Sequence, residues 1–284
     1  VRFAIEFIGE ITIKCILNVK FLISVICILI LLSCDGYNKI LRSTDYEFKL
    51  TKAHEYFEQH MFMRAAQLYE ELVPVFKGTD KAELLYYRYA WSEFNIGDYL
   101  LSQFHFKNYT RQFPNGLYVE TSLYMNAYCY YLNSPNYKLD QTYTENALAE
   151  LQNFIDQYPE SHKLDTCNLL MDKLHEKLER KEFETIKQYM QLADWKAAIM
   201  ASEQFYKSYP TSNRTEELML YHLDAQFQLA RNSVSSKMAD RLQLVQDQYV
   251  KFISLFPESS YLSRAESISK NALALKEKLI HYGF

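Results

Sequence analysis

Tyr87–Pro114 reads YRYAWSEFNIGDYLLSQFHFKNYTRQFP, and the fold follows from how that stretch is punctuated. Its apolar and aromatic residues recur at helical rather than alternating spacing. Asn95-Ile96-Gly97-Asp98 interrupts them with a turn, and Pro114 stops the second run, because proline lacks the amide that a continuing helix needs. Two antiparallel helices joined by a short turn follow. Small Ala90 and Ser102 sit where the two backbones must approach, and Tyr99 and Phe106 fill the space beside them.

The same pattern recurs along the chain at a constant step. In LTKAHEYFEQHMFMRAAQLYEEL, starting at Leu50, the residues Ala53, Phe62, Ala65, Tyr69 and Leu72 stand 37 positions before Ala90, Tyr99, Ser102, Phe106 and Tyr109. One more step from Ala90 reaches Ala127. A later unit, LADWKAAIMASEQFYKSYP, replaces Gly-Asp-Tyr by Ala193-Asp194-Trp195 and puts Ala198 at the close contact; another ends at FISLFP. Fixed periods of this length mark stacked repeats, and the Tyr87–Pro114 unit resembles the tetratricopeptide repeat. The expected fold is all-α, a right-handed superhelix of about five tetratricopeptide-like helix pairs with a C-terminal capping helix over Tyr261–His281.

Punctuation supports this register. Thr44-x-x-Glu47 reads as a capping box for the first helix. Pro159-Glu160-Ser161, Pro210-Thr211-Ser212 and Pro257-Glu258-Ser259 each bring a hydroxyl to the start of the next helix. DTCNLLMDKLHEKLERKEFETIKQYM runs 26 residues without a breaker, so one long helix is expected there, with charged Lys173–Glu182 projecting into solvent. Asn133–Gln141 reads as a loop inserted in the third pair.

The N-terminal sequence has its own logic. Val19–Ser33 gives a lysine and then about a dozen apolar residues, the length of a signal-peptide core and short of the roughly 20 needed to cross a bilayer. Leu31-Leu32-Ser33-Cys34 resembles a bacterial lipobox, which implies acylation of Cys34; a cleaved signal or a single anchor helix are the other readings. The chain divides into an upstream extension or n-region over residues 1–18, a signal over 19–33 and a lipidated tether over 34–43. N-terminal repeats one to three occupy 44–160, and repeats four and five with the cap occupy 161–284.

Chemistry is harder to find. A net charge of −4 argues against a nucleic-acid footprint. Six scattered glycines leave no phosphate-cradling loop. Cys129 and Cys167 form no metal or disulfide pattern and read as buried thiols. His54 and His60 lie about 240° apart round a helix and cannot share a metal, and His175 has no partner at ligand spacing. No nucleophile motif is present, so no enzyme, cofactor or metal is expected. The positions flanking the small residue of each first helix remain: His54 and Phe57, then Tyr87, Trp91 and Phe94, then Tyr124, Tyr128 and Tyr131. They form an aromatic strip that reads either as a peptide groove or as ordinary core.

A lipobox followed by YNKILRSTDYEFKL, YAWSEFNIGDYLLSQFHFKNYTRQFP, NYKLDQTYTENAL, DWKAAIMASEQFYKSYP and FPESSYLSRAE is similar to the BamD family of outer-membrane lipoproteins. The resemblance implies a lipid-anchored protein on the periplasmic face of the outer membrane that takes part in β-barrel assembly. It implies N-terminal repeats that engage C-terminal segments of unfolded barrel proteins, and C-terminal repeats that contact the periplasmic domains of BamA. Asp35 after the cysteine departs from the simplest outer-membrane sorting pattern and leaves the leaflet open. A glycan-capturing lipoprotein or a periplasmic adaptor for cell-wall enzymes would share the same scaffold.

Overall fold

The computed structural model describes residues 36–282; the lipobox, the signal and Cys34 lie outside them. Among the described residues there are helices and connections and no strand. After a short helical segment at 36–41 come α1 (Tyr46–Glu58), α2 (Phe62–Val75), α3 (Ala82–Ile96), α4 (Tyr99–Gln112), α5 (Val119–Asn133) and α6 (Thr142–Gln157). They are followed by α7 (Leu164–Gln191), α8 (Trp195–Ser208), α9 (Thr215–Arg231), α10 (Ser235–Leu255) and α11 (Leu262–Tyr282). This is the expected all-α series of tetratricopeptide-like pairs. Two compact units share it, one comprising residues up to Asn133 with Glu150–Tyr158, the other Ser134–Ala149 with Pro159 onward.

In the first unit α1 packs on α2, α2 on α3, α3 on α4 and α4 on α5, while first helices α1 and α3 also touch. The 37-residue step marks what is buried. Ala53, Ala90 and Ala127 are fully enclosed, as are Ala65, Tyr69, Leu72, Phe106 and Tyr109. Ser102 takes the place of Ala65 one step on, and its buried hydroxyl donates to the Ala90 carbonyl at 3.0 Å, which keeps the close approach without stranding a polar atom.

The turns repeat too. His60, Gly97 and Ala193 occupy the same point between first and second helices, all left-handed, with φ of 59°, 94° and 56°. Asp98 and Asp194 then cap α4 and α8, accepting from the amides of Leu101 and Ala197 at 2.9 and 3.1 Å. Four of the five second helices end alike: the amides of Phe113, Tyr158, Tyr209 and Phe256 still bond four residues back, and a proline follows each, whereas α2 holds Pro74 within its last turn. The residue before proline is forced towards extended backbone, so the helix stops there.

In the second unit Met219, Leu220, Leu223 and Phe227 of α9 pack with Leu242, Val245 and Phe252 of α10 and with Ala265, Ile268 and Ala272 of α11. Phe183 and Ile186 of α7 join Phe205 of α8 and Leu218 of α9. Full burial of a side chain such as Phe205 contributes roughly 1.5–3 kcal/mol.

Three sequence expectations need correction. Asp45, not Thr44, caps α1, accepting from the Phe48 amide at 3.0 Å, and Glu47 pairs with Lys81 at 2.6 Å instead of closing a box. Carboxylate and hydroxyl compete for the same amides, and the anion wins at a helix N-terminus. The hydroxyls of Ser161, Ser212 and Ser259 accept from Lys163, Arg214 and Tyr261, two residues on. They fasten the turn one step before the helix rather than the helix itself.

The third correction concerns α7, which is a single helix of 28 residues. Its charged segment does not project freely. Leu174 is fully buried. Lys177 donates to the Ser134 hydroxyl at 2.6 Å and Lys181 to the Leu139 carbonyl at 2.6 Å, while Arg180 lies 4.4 Å over the Tyr137 ring. Glu179 accepts from Ser212 at 2.7 Å and pairs with Arg214, and Glu182 accepts from Tyr209 at 3.0 Å. Cationic residues hold the loop at 134–141, and anionic ones hold the turn before α9.

Candidate binding surface

The candidate surface lies on α3 and α5 of the first unit. Tyr87, Trp91 and Phe94 stand at helical positions i, i+4 and i+7 of α3, on one face. Tyr124, Tyr128 and Tyr131 repeat that triplet on α5, each 37 residues later. The structure joins the two triplets. Tyr87 meets Trp91 at 6.3 Å between ring centres, Trp91 meets Phe94 edge-on at 5.4 Å, and Phe94 reaches Tyr128 at 6.2 Å. Tyr128 stacks on Tyr124 at 5.8 Å and on Tyr131 at 5.9 Å, with 10° and 13° between planes.

Tyr87, Trp91, Phe94, Tyr124 and Tyr128 rest on the fully enclosed part of this unit, where Ala90, Phe106, Met125 and Cys129 are buried. All six rings of the strip are themselves half-buried. Each ring is thus partly enclosed and partly open to solvent. Edge-on and offset contacts of this kind each contribute about 0.5–1.5 kcal/mol beyond simple burial and hold the rings in place. Burial raises the Tyr87 hydroxyl pKa and pushes the Cys129 thiol up to about 11, so neither ionises near neutrality. Cys167 is likewise a buried free thiol.

Two rings that helical spacing did not single out pack against the strip, and one of them, Phe154, is fully buried. Tyr118, just ahead of α5, stacks on Tyr87 at 4.0 Å with 10° between planes. Phe154 of α6 meets Tyr124 edge-on at 5.7 Å. Tyr118 lies in the connection, outside either helix, so periodicity carries no signal for it; Phe154 belongs to a second helix, where large buried residues are the rule.

Pair one presents something else. Phe57, the counterpart of Phe94, packs edge-on against Phe62 at 5.6 Å and is covered by the Arg88 guanidinium at 5.1 Å. Arg88 is paired with Glu58 at 2.6 Å. His54, the counterpart of Trp91, bonds through Nδ1 to the Tyr69 hydroxyl at 2.7 Å. Burial and then the neighbouring Arg88 charge lower its pKa to about 4, so it is neutral at physiological pH. His60 is the left-handed turn residue and leans on Phe62 at 5.5 Å. The described residues contain no cluster of histidine, cysteine and carboxylate side chains that could hold a metal, and no helix long and apolar enough to cross a membrane.

The arrangement is a set of half-buried aromatic faces and hydroxyls held in contact with one another. Residues 49–242 match the family model YfiO, described as outer membrane lipoprotein. The outer membrane protein assembly factor BamD of Caulobacter vibrioides is 23% identical over 125 residues, which is 44% of this chain and 41% of that protein, so the match spans less than half of that relative. Among solved structures, the TPR2AB-domain:pHSP90-complex of yeast Sti1 aligns over 80% of this chain and 98% of its own, at 11% identity and a TM-score of 0.36. The family match takes in both triplets, the inserted loop and the long α7, well over half of the sequence, and by it the chain belongs to the YfiO family of outer membrane lipoproteins.

Proposed function

We propose that this protein is an outer-membrane scaffold for the assembly of β-barrel proteins, acylated at Cys34 and held on the periplasmic face of that membrane. The aromatic strip of Tyr87, Trp91, Phe94, Tyr124, Tyr128 and Tyr131 seats C-terminal segments of unfolded barrel proteins, with Phe57 at its border beneath the Arg88–Glu58 ion pair. The C-terminal repeats meet the periplasmic domains of BamA. The likeness to a BamD over part of the chain and membership of an outer-membrane lipoprotein family support the general role.

The observation that carries the binding role is the spacing of the half-buried rings. Centres along the strip fall 5.4–6.3 Å apart. Alternate side chains of an extended strand recur every ~6.6 Å, twice its rise per residue. A segment that will become a barrel strand carries its aromatic and aliphatic residues at that interval, so successive side chains can enter successive gaps. Rings already immobilised by their buried edges lose little further freedom when a peptide arrives.

The test is recovery of partners from membranes under mild detergent, followed by crosslinking. The acylated protein is expected to bring down BamA, and a photoreactive peptide copying a barrel C-terminus is expected to label Trp91 or Tyr128. Consistent absence of BamA overturns the assembly role. Labelling that avoids both triplets, with normal peptide binding by Trp91→Ala and Tyr128→Ala, overturns the assignment of the strip.

A further inference from the structure

The start of the described chain is fastened to the first helix pair. The Tyr37 hydroxyl donates to the Gln67 Oε1 at 2.8 Å and lies 3.2 Å from the Arg64 carbonyl, both on α2. The Tyr37 ring meets Tyr56 of α1 edge-on at 5.6 Å, and the Arg64 guanidinium covers both rings at 5.2 and 5.7 Å. Ile40, one turn later, is 8% exposed and belongs to the core of this pair. Residues 36–41 are therefore a docked segment of the domain.

That docking sets a short leash. Two residues, Asp35 and Gly36, separate Tyr37 from Cys34, and the three steps from one Cα to the other span at most ~10 Å. With the two side chains added, an anchor on Cys34 still has to lie close to the N-terminal end of α2, where the Tyr37 hydroxyl is fastened. The same end exposes apolar side chains: Met61 is 42% and Met63 74% exposed. Arg64 follows directly, and Lys39 of the docked segment and Arg42 just after it are exposed.

We propose that the His60–Arg64 turn and the docked segment around Lys39 form a membrane-contact surface, in which Met61 and Met63 enter the interfacial layer of the acylated leaflet and the cations meet lipid phosphates. The inference rests on the proposed acylation of Cys34. Flexible methionine side chains suit an irregular lipid boundary, and basic residues beside an apolar edge match an anionic headgroup layer. The domain is then held against the bilayer by one fixed end, rather than hanging from a free tether.

An environment-sensitive fluorophore on Met63→Cys, in the full acylated protein bound to phosphatidylethanolamine–phosphatidylglycerol vesicles, reads this directly. Lys77→Cys, beyond the other end of α2 and ~20 Å away along a helix of that length, is the comparison. Buried Cys129 and Cys167 are shielded from the label. Quenching by lipid-borne nitroxide is expected to be roughly threefold stronger at position 63 than at 77, and Tyr37→Ala, which frees the leash, is expected to remove most of that difference while vesicle attachment persists. Equal quenching at the two sites, or none at 63, with Cys34 shown by mass spectrometry to carry its acyl chains, overturns the contact surface and leaves the lipoprotein reading intact. An unmodified Cys34 in the membrane-extracted protein overturns both.

Discussion

The Tyr109 hydroxyl donates to the Glu83 carboxylate at 2.6 Å, and that same oxygen receives the Leu117 amide at 2.7 Å. One buried tyrosine thus ties the end of α4 to the start of α3 and to the connection that leads into α5. Gly116 lies within that knot: a Cβ there would come 2.6 Å from the Tyr109 oxygen and 2.8 Å from Glu83. Gly116→Ala is expected to cost about 1–3 kcal/mol, as overpacking usually does, and to shift Tyr118 off its stack with Tyr87. Urea unfolding with circular dichroism measures the first effect, and near-ultraviolet dichroism the second.

Three left-handed turn residues make opposite expectations for opposite substitutions. His60→Gly and Ala193→Gly relieve a conformation that costs an L-residue about 1–2 kcal/mol, offset in part by the greater freedom of glycine when unfolded. Each is expected to be neutral to ~1 kcal/mol stabilising. Gly97→Ala is expected to destabilise by ~1 kcal/mol. Thermal denaturation of the three variants side by side gives the signs.

Stability is expected to fall on mild acidification because of buried His105 and His222 and half-buried His54. Burial is the leading cause that lowers His54, His105 and His222 to about 4, with the charges of Arg88 and Lys251 adding to the effect on His54 and His222 and the carboxylate of Asp98 opposing it at His105. The unfolded chain, titrating near 6.5, therefore binds more protons than the folded one between those values, so stability is full above pH 6.5 and is lost progressively towards pH 4. His105→Gln is expected to flatten the dependence of melting temperature on pH over that window.

Lys177 and Lys181 hold the inserted loop by its serine and its leucine carbonyl. Their joint replacement by methionine is expected to speed amide exchange across residues 134–141 several-fold while global stability changes by about 1 kcal/mol, since a few hydrogen bonds at a half-buried loop edge contribute little net stability. Hydrogen–deuterium exchange read by mass spectrometry resolves the loop from the helices.

Trp91 offers a direct optical reading of the strip. The chain has two tryptophans, and Trp195→Phe leaves Trp91 as sole reporter. A peptide ending in an aromatic residue is expected to shift and quench its emission, and Tyr128→Ala is expected to weaken binding roughly tenfold, the scale of one well-placed aromatic contact. Fluorescence titration supplies both numbers.

Much of this was legible in the residues alone, for reasons that differ by element. The small positions at Ala53, Ala90 and Ala127 were readable because close helix approach leaves no room for choice. Both ring triplets were readable from one helical period. The stacking partner Tyr118 was not, because it sits in a connection where no periodicity operates. The role of His60 was harder to see: the 37-residue step sets it over Gly97, but a histidine carries no cue to left-handed backbone until its φ is known. The charges of Lys173–Glu182 misled because composition says that a segment is polar, whereas only the fold says that a loop and a turn lie alongside to receive it.

The two triplets on α3 and α5 are copies of one pattern displaced by a whole repeat. Such a surface behaves as a graduated scale: duplication of a unit would lengthen it by another three marks without inventing any contact, and erosion of a unit would shorten it. Evolution can in this way set how long a stretch of strand is gripped separately from how tightly each residue is held.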